Sequence, residues 1–145
     1  MNTPCLETDR LLLRPIKKSD LQTAYVKWFT DPDVARYMFW GLHGNIGRTA
    51  EWIDFELQMI EVSDWYRFII CKKTAERSDI PCGSVLLYLD EEITDWEIAY
   101  HFEKERWGQG DASESVRNVL LFAKNKLKLT HVMARYAIDN EASGD

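Results

Sequence analysis

Gly108 and Gly110, separated by one residue, stand in the run Phe102-Glu-Lys-Glu-Arg-Trp-Gly-Gln-Gly-Asp-Ala112, between an expected strand and an expected helix. Glycines at this spacing let the backbone turn sharply and leave no Cβ in the way of an approaching ligand. The first-turn N–H groups of the following helix point at whatever occupies the bend, and the helix dipole favours an anion there. A pyrophosphate fits that description; a tight strand-to-helix turn that binds nothing fits it equally well. Other reactive residue types form no pattern. Cys5, Cys71 and Cys82 are odd in number and lack a C-x-x-C pair, so they read as reduced intracellular thiols rather than a disulfide framework or a zinc site. His43, His101 and His131 are scattered without metal-ligand spacing and read as structural or surface residues.

The elements that must position the bend follow from apolar periodicity. Leu11-Leu-Leu-Arg-Pro15 reads as a short strand stopped by proline. Ser19 and Gln22 are spaced as a capping box for a helix from Asp20 to about Trp28, with Leu21, Ala24, Tyr25 and Trp28 on one face. Pro32 opens a second helical turn. Gly41, Gly44 and Gly47 mark a loop, and Trp52, Ile53, Leu57 and Ile60 carry a helix from Thr49 to about Ile60. Three strands follow, Trp65–Lys72, Cys82–Leu89 and Trp96–Phe102. A helix from about Ala112 to Lys126 comes next, with Val116, Val119, Leu120, Ala123 and Leu127 on its apolar face. His131–Ile138 reads as a last strand. Short connections imply antiparallel pairing of the three-strand meander. The strand-helix-strand unit from Trp96 to Ile138 implies a parallel pair. The expected fold is therefore α/β (α+β): a mixed, mostly antiparallel sheet with helices on both faces.

The 145 residues fit a single domain, 1–145, with no repeat, low-complexity stretch or linker. Apolar residues make up 46% and charged residues 29%, which suits a globular protein. The net charge of −6 disfavours broad nucleic-acid binding and would draw a cationic substrate such as an amine. No apolar leader and no stretch near ~20 apolar residues is present, so the expectation is a soluble, cytoplasmic protein off the membrane.

Trp96-Glu-Ile-Ala-Tyr100, followed by Trp107-Gly-Gln-Gly-Asp-Ala112-Ser-Glu-Ser-Val116, resembles the acetyl-CoA motif of the GNAT N-acetyltransferases, in their ribosomal-protein N-acetyltransferase branch. Leu6–Arg14 resembles that branch's opening strand, Phe39-Trp40-Gly41 its acceptor-side loop, Ala50–Ile53 its second helix and Asp139–Ser143 the start of its fourth. The resemblance implies acetyl transfer from acetyl-CoA, the co-substrate, to a primary amine on a small molecule or peptide, by direct attack. It implies that Gly108, Gln109, Gly110 and Ala112, with their neighbours Trp107 and Ser113, hold the pyrophosphate. The end of the strand at Tyr100 and Phe102 would pair with the pantetheine arm, which Asn140 contacts, in a gap between this strand and the next. An N–H near Ala99–His101 would polarise the thioester carbonyl. Glu97 matches the general base, with a solvated strand carboxylate as the alternative. Ser143 matches the acid that protonates the thiolate, a task Tyr100 could also perform.

Two departures favour an alternative, a GNAT-like interaction or structural module with weakened coenzyme binding. Asp111 stands where the family is usually aromatic or aliphatic, and with Glu114 it spells an Asp-x-x-Glu capping box that would compete for the pyrophosphate's N–H groups. At an effective dielectric of ~20, unit charges ~6 Å apart repel by roughly 2–3 kcal/mol before screening. The family also continues past Ser143 with a helix and two strands, whereas this sequence stops at Asp145. An open strand edge near His131–Ile138 and self-association as a homodimer are the expected consequences.

Overall fold

The computed structural model describes residues 3–35, 44–74, 80–103 and 110–135. Its frame is one six-stranded sheet in the order β1-β2-β3-β4-β5-β6. The strands are β1 (Leu6–Glu7), β2 (Leu11–Pro15), β3 (Trp65–Lys72), β4 (Ile80–Asp90), β5 (Asp95–Phe102) and β6 (Met133–Arg135). The first five are paired antiparallel; β5 and β6 are parallel, joined by the crossover helix α4 (Asp111–Asn125). The expected mixed sheet is therefore observed. The opening stretch is a hairpin of two strands rather than one, closed where Thr8 Oγ1 accepts from the N–H groups of Arg10 and Leu11. Of the expected strand His131–Ile138, Met133–Arg135 is in the ladder; residues 136–138 lie outside the described residues.

Strand β3 alternates strictly, yet nearly all of it is buried because helices cover both faces of the sheet. On one side, Tyr66, Phe68, Ile70, Val85, Leu87, Ile98 and Phe102 pack under α4 through Val119 and Ala123. Phe122 meets Tyr66 and Phe68 edge-on, whereas Leu120, expected in the core, is turned outward. On the other side, Trp65, Ile69, Cys71, Leu86 and Tyr88 pack under the N-terminal helices. Those helices are α1 (Leu21–Thr23), α2 (Pro32–Ala35) and α3 (Ile46–Val62).

The segment Lys18–Phe29 departs from the expected regular helix. A 3-10 turn at Lys18–Asp20 leads through α1 into a π-helical stretch at Ala24–Phe29, with Thr30 N–H bonding Tyr25 C=O at 3.2 Å. The wider turn brings the adjacent Trp28 and Phe29 into the core together. The cap is not the Ser19–Gln22 box. Instead the Asp20 carboxylate accepts from Lys17 N–H at 2.9 Å and from both terminal nitrogens of Arg14 at 3.0 and 2.6 Å. A buried ion pair outbids a hydroxyl for the position. Helix α3 begins three residues earlier than periodicity suggests, because Asn45 Oδ1 caps it by accepting from Arg48 N–H at 3.1 Å.

Pro81 sits inside β4 at a register shift between Ile70 and Cys71, where a missing N–H is tolerated. Two residues on, Gly83 faces Phe102, and a Cβ there would collide with the Phe102 ring and lie 2.6 Å from His101 O. Gly83→Ala is therefore expected to destabilise the fold by about 1–3 kcal/mol through overpacking. Urea denaturation would read the loss, and an unchanged midpoint would show that β4 and β5 separate more easily than the contact implies. Among the described residues, no helix is long and apolar enough to cross a membrane.

Candidate active site

The bend that opens α4 is built on Gly110, whose φ of +82° lies in the left-handed region open to glycine. Glu114 N–H bonds Gly110 C=O at 3.0 Å and closes the first turn. Gly110 is the N-cap and offers no side chain to cap the amides that follow, those of Asp111, Ala112 and Ser113. Ala112 and Ser113 are half-buried in that turn. Trp107, Gly108 and Gln109 lie outside the described residues, as do Asn140 and Ser143.

Asp111 does not form the expected box with Glu114. It occupies the first helical position, its side chain is fully buried, and Oδ1 lies 3.3 Å from Arg10 Nη2. Glu114 turns to the β1–β2 hairpin instead, accepting from Thr8 Oγ1 at 2.5 Å and Arg10 Nε at 3.0 Å. The physical reason is charge: a guanidinium held by the hairpin attracts both carboxylates more strongly than a backbone amide would. Burial pushes the Glu114 carboxyl up. The hydrogen bonds from Thr8 and Arg10 and the charges of Arg10 and Arg117 outweigh it and hold the group below its ordinary value.

Strand β5 leads into the bend and divides its side chains between the two faces. Ile98, Tyr100 and Phe102 face α4. Phe102 is fully buried there, so only its backbone is placed to serve a ligand; Tyr100 is half-buried beside it. Glu97, Ala99 and His101 share the opposite face. Among the described residues, β6 accompanies β5 only from Glu97 to Ala99, and no described strand lies beside Tyr100–Phe102 on that edge. The gap expected for a pantetheine arm, between Tyr100–Phe102 and the residues after Arg135, falls on positions outside the described residues.

The opposite face carries a buried polar cluster that the sequence reading missed. Register aligns Trp65, Tyr88 and Glu97 in one row across β3, β4 and β5, with Arg67, Leu86 and Ala99 in the next and Ile69, Ser84 and His101 in the third. Tyr88 Oη donates to the Glu97 carboxylate. Arg67 donates to Glu56 Oε1 and Oε2 at 2.8 and 2.9 Å and to Ser84 Oγ at 2.8 Å, and Trp65 Nε1 donates to Glu56 Oε1 at 2.8 Å. His101 lies edge-on to Trp28, ring centroids 4.7 Å apart. One signal was available: Glu56 falls on the apolar face of α3, four residues after Trp52 and four before Ile60.

Residues 10–145 match the acetyltransferase (GNAT) domain. The chain belongs to the GNAT acetyltransferase family. It is 32% identical over 95% of its length to the uncharacterized protein YkkB of Bacillus subtilis, covering 78% of that protein. It is 27% identical, again over 95%, to the uncharacterized N-acetyltransferase p20 of Bacillus licheniformis, covering 76% of it. Its fold is similar to that of RimL, a ribosomal L7/L12 alpha-N-protein acetyltransferase solved with coenzyme A (TM-score 0.80, 13% identity, 97% of this chain and 79% of that one).

Within this GNAT domain the imidazole of His101 has no hydrogen-bond partner at Nε2 among the described residues. Burial, reinforced by the Arg67 charge, holds it well below its ordinary value of 6.5 and keeps it neutral. The unfolded imidazole takes up a proton near that value and the folded one does not. Its contribution is thus present above pH 6.5 and is lost as pH falls toward the depressed folded value. His101→Phe is expected to flatten the stability profile between pH 7 and about 5 in urea unfolding; parallel wild-type and variant profiles would contradict a neutral buried imidazole. Arg10→Ala, which removes the guanidinium facing Asp111 and Glu114, is expected to cost about 1–3 kcal/mol. It should also reduce the stability contributed by Glu114, which is present above the usual carboxyl range and lost as pH falls through the depressed value; Thr8 and Arg117 keep the remainder. An unchanged acid limb in the variant would show that Arg10 does not hold Glu114.

Proposed function

We propose that the protein is a cytoplasmic, single-domain N-acetyltransferase of the ribosomal-protein branch that moves an acetyl group from acetyl-CoA to a primary amine. The observation that carries this reading is the Gly110 bend, which opens α4, the helix that follows β5 in the chain, in a member of the GNAT family. The coenzyme's diphosphate would lie against the amides of Gly108–Ser113, with Trp107 and Gln109 in the same bend. Its pantetheine arm would run along Tyr100–Phe102 and meet Asn140. The amine nitrogen attacks the thioester carbon, the C–N bond forms and the C–S bond breaks. The amine's proton passes to Glu97, directly or through one water, and the leaving thiolate takes a proton from Ser143 or Tyr100. N–H groups near Ala99–His101 would face the developing oxyanion.

One of the two departures behind the alternative, a module that has lost the coenzyme, is the charge of Asp111. Arg10 at 3.3 Å supplies the opposite charge, so that objection is weakened. Acetyl-CoA titration followed by Trp fluorescence and thermal midpoint separates the two readings. At 100 times Kd, ligand stabilisation should reach about 2.7 kcal/mol, and no shift at millimolar acetyl-CoA would favour the module. A panel of N-terminal peptides, aminoglycosides and polyamines, scored by release of coenzyme thiol, identifies the acceptor. In that assay Glu97→Gln is expected to lower kcat by about 10²–10⁴-fold while leaving acetyl-CoA affinity intact; full activity would remove Glu97 as the base. We also propose a homodimer. Sedimentation at micromolar concentration showing only monomer would refute it.

A further inference from the structure

We infer that the groove beside the C-terminal half of α4 is a docking site for an acidic peptide segment that carries apolar side chains. Its walls are the last turns of α4 and the connection from there to β6. Leu120, Ala123 and Lys124 come from the helix and Lys128, Leu129 and Val132 from the connection, and between them lies a cavity of about 620 Å³. The connection folds back because Lys128 takes the left-handed conformation, φ +60°, and Leu129 N–H bonds Ala123 C=O at 3.0 Å. Glycine adopts that conformation more readily; here a lysine holds it and lines the groove. Leu129 and Val132 are half-buried against the core under α4, and Leu120 is 37% exposed, so the apolar interior continues outward into the groove. Roughly 20 Å of helix separates Lys124 from Gly110, so the inference does not depend on how the bend is used.

The charge around the groove is one-sided. From Arg117 to Ile138 the sequence has five cationic residues and no Asp or Glu, in a chain whose net charge is −6. Among the described residues no carboxylate pairs with the ammonium group of Lys124 or Lys128, whereas Arg10, Arg14 and Arg67 are each met by carboxylates. The dipole of α4 favours cations in its last turn, which accounts for Lys124 as a helix residue. It accounts neither for the apolar wall beside that lysine nor for Lys128, which lies beyond the helix. An apolar floor edged by unpaired ammonium groups complements a segment that brings leucine-like side chains together with carboxylates. Nucleic acid matches it poorly, because the floor offers Leu, Ala and Val rather than aromatic faces on which bases stack. A flat bilayer surface also matches it poorly, since the apolar floor is recessed between two walls.

The test uses the whole chain and two fluorescein-labelled peptides, an amphipathic Leu/Glu helix and its Leu/Lys counterpart, followed by fluorescence anisotropy. The acidic peptide is expected to bind at micromolar protein and to weaken as salt is added, and the basic one not to bind. Lys124→Glu is expected to weaken binding about tenfold. Lys126→Glu changes the net charge equally but lies off the groove, and should leave the affinity within about twofold. Leu120→Ser should weaken binding by about the same factor as Lys124→Glu. All three positions are exposed, so the thermal midpoints of the variants should stay close to that of the wild type. In ¹⁵N NMR the peptide should shift amides of Leu120–Lys124 and Lys128–Val132. No binding at millimolar protein, equal losses in Lys124→Glu and Lys126→Glu, or equal binding of the basic peptide would overturn the inference. Shifts of the same amides on diluting the peptide-free protein would make a second copy the occupant. Binding to phosphatidylglycerol vesicles without binding to the acidic peptide would make it a lipid surface, and either result overturns the peptide assignment.

Discussion

A guanidinium taken out of water between a sheet and a helix must be met on each of its donor edges, and the arrangement that meets it fixes everything around it. Arg67 is that group. Glu56 from α3 receives two of its nitrogens, Ser84 from β4 receives a third, and Trp52 covers it with its guanidinium carbon 5.4 Å from the ring centroid. Removing one partner from such a buried pair costs on the order of 3–5 kcal/mol, because the remaining charge is left without an answer. The pair is therefore weak as a source of net stability and strong as a constraint. It permits one rotation of α3 over the sheet and one register of β3 against β4. Trp65 Nε1 donates to the same carboxylate and its ring packs against Tyr88, so the position of Tyr88 is tied to that of Glu56.

The two faces of the sheet are used differently. Under α4 the packing is apolar and aromatic: Tyr66 and Phe68 against Phe122, with Val119 and Ala123 seated on the strands. That face needs only volume and shape, and it seats α4, with the Gly110 bend at its start, on the sheet. Under α3 the same strands present Arg67, Ser84, Tyr88, Glu97 and His101. Polar groups at this depth have to be satisfied by specific partners, and those partners are residues far apart in the chain that register brings together. A sheet alternating at period two allows this division, since each strand contributes to both faces without changing its path.

What could be read from the sequence follows from that division. Strand β3 was placed to the residue, because Tyr66, Phe68 and Ile70 alternate cleanly and Lys72 ends the run. The fold class, the meander and the crossover helix were likewise legible in periodicity and connection length. The misses depend on side-chain partners that apolar periodicity does not show. Asp20 caps the first helical segment because Arg14 reaches it, Glu114 abandons Asp111 because of Arg10, and Pro81 is tolerated because β3 and β4 shift register beside it. The π-helical turn at Ala24–Phe29 reflects two adjacent aromatic residues competing for one core. Glu56, Arg67, Ser84 and Tyr88 look like surface residues one at a time; only the register of three strands makes them a cluster. The bend is signalled by the spacing of Gly108 and Gly110 and Glu97 only by family resemblance, whereas the phenol that bonds Glu97 carries no motif.

Charge at the bend shows how a local reading can point the wrong way. Taken alone, a carboxylate at the first position of α4 opposes a diphosphate by roughly 2–3 kcal/mol at an effective dielectric of ~20. An Arg nitrogen 3.3 Å from that carboxylate supplies a positive charge closer to it than the anion would be, and the same guanidinium also meets Glu114, so one cation is shared between two carboxylates. The guanidinium also lies near the bend itself, 3.7 Å from where a Gly110 Cβ would stand. It is about half exposed, whereas the Asp111 side chain is fully buried, so of the two charges the positive one faces solvent and any approaching anion. Asp111 is thus coupled to a cation delivered by the β1–β2 hairpin, and the charge at the start of α4 belongs to Asp111, Glu114 and Arg10 together.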